Sequence, residues 1–124
     1  MKGKGLSFIA VVVLMKADVL ATERYLNVNN PNPVSPYTSW ATAATVIQSA
    51  IDASGPGDVI LVTNGIYQTG GRARSPELVF NRVLVDKPLT LRSVNGPAST
   101  IIDGSGSGRC IYLLDGTVLD GFTV

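Results

Sequence analysis

The 124-residue chain contains no histidine and a single cysteine, Cys110. Without histidine it lacks the Ser–His and Cys–His pairs of nucleophilic catalysis, imidazole general bases and imidazole metal ligands. With one cysteine it cannot form an internal disulfide. Cys110 begins an apolar run, so we expect it to be buried as a small hydrophobic residue.

Charged residues are also scarce, at 15% of the chain, and the formal net charge is only +1. This balance gives no electrostatic reason to expect a nucleic-acid partner. Only two arginines, Arg72 and Arg74, lie close together, and we interpret them as part of a solvated loop. Gly104, Gly106 and Gly108 have the spacing of a phosphate loop, but no helix follows them, so we predict no nucleotide site.

The second half of the chain contains short apolar strands separated by turn residues. Residues 89–91 recur 22 places later as 111–113, and residues 100–102 recur as 122–124. A period in this range is typical of stacked repeats, in which each coil buries its apolar side against its neighbours. A sandwich built from hairpins is the alternative, because four dipeptides favour tight hairpin turns. They are Asn64-Gly65, Asp103-Gly104, Asp115-Gly116 and Asp120-Gly121.

The N-terminus has the pattern of a secretory signal peptide. Lys2 and Lys4 precede an apolar run over residues 6–15, and residues 19–21 are suited to cleavage. The run is shorter than the about 20 residues that a membrane-spanning helix needs. We therefore predict a signal peptide at residues 1–21 and a secreted or cell-surface protein; the alternative is a buried N-terminal strand or helix.

One amphipathic helix is predicted in the remaining chain. Trp40, Ala44, Ile47 and Ile51 fall on one helical face. Ser39 or Thr42 can cap its start, since a hydroxyl accepts a hydrogen bond from a free backbone N–H. The Gly and Pro residues at 53–57 end it. The apolar face of such a helix must pack against another part of the protein, and the open end of a solenoid is a suitable surface for it.

Three segments resemble the right-handed parallel β-helix proteins of the pectate-lyase-like (pectin lyase fold) superfamily. Residues 56–67, after the predicted helix, are similar to the family's first coil, and residues 86–104 to its second coil. Residues 118–124 look like its recurring coil signature. The resemblance implies an all-β, right-handed parallel β-helix (solenoid), with N-terminal coils and one short capping α-helix. Residues 22–124 would then be an incomplete domain.

The resemblance implies a secreted protein that acts on or binds extracellular polysaccharide. It leaves open whether the protein is an enzyme. A polysaccharide lyase or hydrolase would carry its active site on coils beyond Val124, and the lyases of the family use Ca²⁺ there. The alternative is a non-catalytic adhesin or carbohydrate-binding repeat protein. The expected partners are polysaccharide and further β-helix coils at the C-terminal end; no cofactor is expected in this segment.

Carboxylates and aromatic residues are the remaining candidates for chemistry. Asp103, Asp115 and Asp120, if aligned on adjacent coils, would suit Ca²⁺ binding or glycoside cleavage. Each directly precedes glycine, so we interpret all three as turn formers and assign no catalytic, cofactor or metal residue. Several aromatic side chains can stack on sugars, and of these we expect Trp40, Tyr67 and Tyr112 to pack in the core. The full set is Tyr25, Tyr37, Trp40, Tyr67 and Tyr112.

We expect the 124-residue chain to show no cleavage of polygalacturonate, with or without Ca²⁺, because no residue in it matches a catalytic motif of the family. Reducing-sugar release and absorbance of unsaturated products measure the two kinds of cleavage. Measurable turnover by either assay would contradict this expectation.

Overall fold

The computed structural model describes residues 20–106 and 108–124, and these ranges are mostly strand with one α-helix. The prediction of a largely β protein is therefore confirmed. The predicted signal peptide lies outside the described residues except for Leu20 and Ala21. No helix in the described part of the chain has the length and apolarity needed to cross a membrane. The elements are β1 (Glu23–Leu26), a 3₁₀ turn (Trp40–Thr42), α1 (Ile47–Ala53), β2 (Val59–Val62), β3 (Gly65–Tyr67), β4 (Arg72–Arg74), β5 (Val79–Val85), β6 (Thr90–Ser93), β7 (Thr100–Ile102), β8 (Arg109–Leu113) and β9 (Val118–Asp120).

The strands form three small sheets. Sheet 1 has the order β1-β2-β6-β9, sheet 2 the order β3-β7, and sheet 3 the order β4-β5-β8. The chain visits the sheets in the same sequence twice, through β2, β3 and β5 and then through β6, β7 and β8. Every strand pair except β4–β5 is parallel, which argues against a sandwich built from antiparallel hairpins.

The core lies where the inward-facing residues of the three sheets meet. Ile60 of β2 and Leu91 of β6 are register partners, and both are completely buried. Their neighbours alternate, so that Val59 and Leu61 on the opposite face of β2 are only partly buried. The strongly apolar run of β2 therefore has one core face and one half-covered outer face, not two buried faces.

The two 22-residue correspondences have different outcomes. Ile101 of β7 does form a parallel bridge with Thr123, 22 positions later. Residues 89–91 and 111–113 lie on different sheets, so their correspondence was wrong: Thr90 pairs with Val118, and Ile111 pairs with Val83. The offset between paired residues varies because the connections between strands differ in length, and a fixed sequence period cannot follow it.

The free edge of β1 is covered by the chain that follows it. The Tyr25 N–H donates to the Tyr37 carbonyl, and the Ala44 N–H donates to the Tyr25 carbonyl, each at 2.9 Å. Ala44 therefore has extended backbone and bridges to Leu26. This bridge divides the predicted single helix into the 3₁₀ turn and α1. Ser39 caps the 3₁₀ turn as predicted, whereas α1 has no side-chain cap.

Helix α1 attaches to sheet 3 through the side-chain amide of Gln48. Its Nε2 donates to the Leu84 carbonyl at 2.9 Å, and its Oε1 accepts from the Leu84 N–H at 2.8 Å. The amide thus occupies the position of a neighbouring strand at the edge of β5. Ile47 and Ile51 are buried in the core on the same helix. Together these contacts place α1 against the core beside β5.

A buried ion pair holds β1 to the start of β2. Arg24 Nη1 donates to Asp58 Oδ2 at 2.8 Å, and both side chains are 11% exposed. The same carboxylate accepts from the N–H groups of Gly55 at 2.8 Å and Thr22 at 3.1 Å. Burial alone raises the pKa of Asp58, but these two N–H groups and the Arg24 guanidinium together hold it below its usual value.

We expect Asp58→Asn to lower the free energy of unfolding by about 2 kcal/mol at pH 7, because it removes the charge on a carboxylate with three donors. The pKa of Asp58 is lowered in the folded state, so its contribution is complete above the unfolded pKa of about 4 and is lost as pH falls below it. Denaturant unfolding of both proteins at pH 7 and pH 3 measures this. A difference that is unchanged at low pH would contradict the charge-based explanation.

Candidate functional site

An open cleft of about 480 Å³ lies on the outer side of sheet 3. Strand β4 folds back antiparallel onto the start of β5, and β8 pairs in parallel with the other side of β5. Arg72 and Arg74, predicted to lie in a solvated loop, are therefore part of a strand at the mouth of this cleft. The cleft is lined by Arg72, Ala73, Arg74, Ser75, Leu84, Asp86, Tyr112 and Leu114.

Two guanidinium groups lie close to the ring of Tyr112. Arg74 Cζ is 4.5 Å from the ring centroid and Arg109 Cζ is 5.5 Å from it. Cations at these distances are attracted to the ring face. Arg109 Nε also donates to the Oδ1 of Asn81 at 2.9 Å, and Asn81 is completely buried. This hydrogen bond connects Arg109 to the interior of sheet 3.

Carboxylates of the same chain compensate part of this positive charge. Arg74 forms an ion pair with Glu77, and Arg72 forms one with Asp52 of α1. The pKa of Glu77 is lowered, first by its own backbone N–H and then by Arg74. All four side chains are substantially exposed, and exposed pairs contribute little stability because water screens them. A ligand carboxylate can therefore replace Glu77 or Asp52 at small cost.

The three aspartates considered as a calcium or acid–base set do not come together. Asp103 follows β7 in sheet 2, Asp115 follows β8 in sheet 3, and Asp120 ends β9 in sheet 1. Asp103 Oδ1 accepts from the Ser105 N–H at 2.7 Å, as in a turn, and Asp120 pairs with Arg92 at 3.1 Å. The three aspartates therefore do not line up on adjacent strands, and the alternative that treats them as one site is wrong. Within residues 20–106 and 108–124, no group of three potential metal ligands is found.

The aromatic residues divide between the core and the surface. Tyr67 is buried as predicted, its hydroxyl donates to the Thr63 carbonyl at 2.8 Å, and burial raises its pKa to about 12. Tyr112 was wrongly predicted to be in the core, because it pairs with Leu84 on the side that lines the cleft. Trp40 was also wrongly predicted: it is 43% exposed and packs its ring on Tyr25.

Cys110 lies beside a second, shallower cleft of about 430 Å³ that the bend around Gly104, Gly106 and Gly108 helps to line. The prediction that it is buried was wrong, since it is only partly covered. Its Sγ donates to the Ile102 carbonyl at 3.4 Å. Burial raises the pKa of the thiol more than a hydrogen bond with the Gly104 backbone lowers it, and the Asp103 carboxylate and the Arg82 guanidinium make smaller, opposite contributions.

No family model, curated protein or solved structure matches this chain. The chemistry of the cleft therefore depends on its own residues. Sequence patterns missed Leu84 and Asp86 as parts of it, because only the pairing of β5 with β8 sets Leu84 beside Tyr112, 28 positions later in the chain. The spacing of Arg72 and Arg74, two positions apart, was the one feature of the sequence that indicated this cleft.

We expect Cys110 to react with a disulfide reagent at pH 8 at least about tenfold more slowly in the folded chain than in guanidinium chloride, because its thiolate is disfavoured and its surface is partly covered. The chain has one thiol, so the absorbance of the released thiolate reports on this residue alone. Equal rates in the two conditions would contradict the partly buried, protonated thiol.

Proposed function

We propose that residues 22–124 form the N-terminal coils of a right-handed parallel β-helix. Three sheets visited in a repeating order, with parallel pairing between equivalent strands, support this architecture. The cover that α1 and the preceding loop provide over β1 supports the assignment of this end as the capped one. Further coils, of the same or another chain, would continue from β8 and β9.

We also propose that the protein is secreted and binds extracellular polysaccharide at the cleft of sheet 3. The observation that carries this proposal is the pairing of Arg74 with Tyr112, with 4.5 Å between the guanidinium carbon and the ring centroid. A planar guanidinium binds a carboxylate through two parallel hydrogen bonds, and a tyrosine hydroxyl can exchange a hydrogen bond with a sugar hydroxyl. An acidic polysaccharide offers both groups on one repeating unit.

The cleft is open to solvent and not enclosed, which suits a polymer better than a small buried ligand. Its exposed ion pairs also suit exchange, since Arg74 can leave Glu77 for a ligand carboxylate. Cleavage by a lyase or hydrolase and attachment by an adhesin both begin with such a binding step. The residues of the cleft can supply that step, so binding is the function that we propose.

Polygalacturonate in a native gel should retard the 124-residue chain, and Arg74→Ala should weaken the retardation about tenfold, because one charge-assisted hydrogen-bonding group is lost. Arg92→Ala is the matched control. Arg92 is also an exposed arginine paired with an aspartate, but it lies on sheet 1, so the variant has the same net charge as Arg74→Ala.

Two results would contradict the proposal. Absence of retardation by polygalacturonate and by a panel of other acidic polysaccharides would remove the proposed ligand. An equal loss of retardation in Arg74→Ala and Arg92→Ala would show that net charge, not the cleft, determines the interaction.

A further inference from the structure

We infer that Trp40 and Tyr25 form a stacking platform for the ring face of a neutral sugar residue. This aromatic platform is a second polysaccharide contact, on the β1 side of sheet 1 and apart from the cleft of sheet 3. It rests on the proposed function in that both contacts bind polysaccharide, but it uses different residues and a different chemistry.

The two rings pack against each other at an angle and give a bent apolar surface. Their centroids are 4.7 Å apart and their planes meet at 57°. Tyr25 is held by its strand, whereas 43% of Trp40 remains accessible to solvent. A large aromatic side chain normally buries most of its area, so an accessible indole packed against a second ring has surface left for a partner.

The backbone under Trp40 is rigidly held. The Ser39 hydroxyl accepts from the Thr42 N–H at 3.2 Å, and the Ser39 N–H donates back to Thr42 Oγ1 at 3.2 Å. The side-chain amide of Asn30 also donates to the Ala41 and Ala43 carbonyls, at 3.3 and 2.7 Å. A ligand that stacks on Trp40 therefore loses little free energy to ordering of the protein.

The edge of the platform is polar. The Tyr25 hydroxyl donates to Glu23 Oε1 at 2.9 Å, and both groups are accessible. The other carboxylate oxygen and the phenol oxygen remain available to accept hydrogen bonds from hydroxyl groups. A pyranose ring has C–H groups on its faces and hydroxyl groups around its edge, so it matches an apolar surface bordered by acceptors.

The charge at this edge selects among ligands. Glu23 repels carboxylates and anionic lipid headgroups, so a neutral sugar is favoured over a uronate or an anionic membrane. The cleft of sheet 3 differs in this respect, because two arginines, Arg72 and Arg74, line it with one carboxylate, Asp86.

The only tryptophan in the chain is Trp40, so intrinsic fluorescence reports directly on the platform. Soluble neutral polysaccharides, namely mixed-linkage β-glucan, xyloglucan, arabinoxylan and galactomannan, should be titrated into the 124-residue chain. At least one should shift the Trp40 emission to shorter wavelength with saturation. Tyr25→Ala keeps the reporter and should weaken that titration severalfold, because half of the platform is lost.

Affinity gels with the same polysaccharide then compare variants of Trp40. Trp40→Ala should weaken retardation at least about tenfold, as expected for a central aromatic contact. Trp40→Phe should retain most of the binding, because it keeps a stacking face. Val94→Ala is the control for loss of an exposed apolar side chain, since Val94 is 50% exposed and lies outside both binding sites; it should bind like the unchanged chain.

The outcomes separate the platform from the proposed function. If polygalacturonate binds through Arg74 but no neutral polysaccharide shifts the Trp40 emission, the aromatic platform does not bind sugar, and the proposed function of the cleft is retained. If neutral polysaccharide binds through Trp40 while Arg74→Ala has no effect on acidic polysaccharide, the platform stands and the cleft is wrong. A Trp40 shift on phosphatidylcholine vesicles with none on any polysaccharide would overturn the platform as a sugar site.

Discussion

Pairing of the backbone at the first edge of the sheets is the constraint on which the rest of this structure depends. A parallel sheet leaves a row of N–H and C=O groups at its edge, and unpaired groups are costly when buried and promote association when exposed. Here the Tyr37 and Ala44 backbones pair with β1, and the Gln48 side chain pairs with β5. These contacts bring α1 against the core and fix where the first strands begin.

Once that edge is closed, the alternation of side chains along the strands determines what faces outward. Val83 and Val85 enter the core, so Leu84 and its partner Tyr112 face the cleft beside β4. Leu26 enters the core, so Tyr25 faces outward against Trp40. The cleft and the aromatic platform are therefore both products of the same inward packing, but they lie on different sheets and carry opposite local charge.

Sequence patterns were sufficient for the elements with strong local signals. The end of α1 was predicted close to its observed position, and residues 56–67, singled out as one segment, contain β2 and β3. Trp40 was misplaced because the Ala44 bridge to Leu26, a contact between distant residues, interrupts the helical period. The alignment of Asp103, Asp115 and Asp120 failed for a related reason: connections of unequal length place them on three different sheets, which a fixed spacing cannot reveal.

The attachment of α1 through Gln48 has a consequence for how such a cap is built. Gln48 bonds to the peptide groups of Leu84 and not to its side chain. The attachment therefore requires of residue 84 only a backbone N–H, which excludes proline, and a free strand edge at the correct distance. A helix held in this way is a modular closing piece, and it is transferable in principle to other parallel sheets whose edge strands differ completely in sequence.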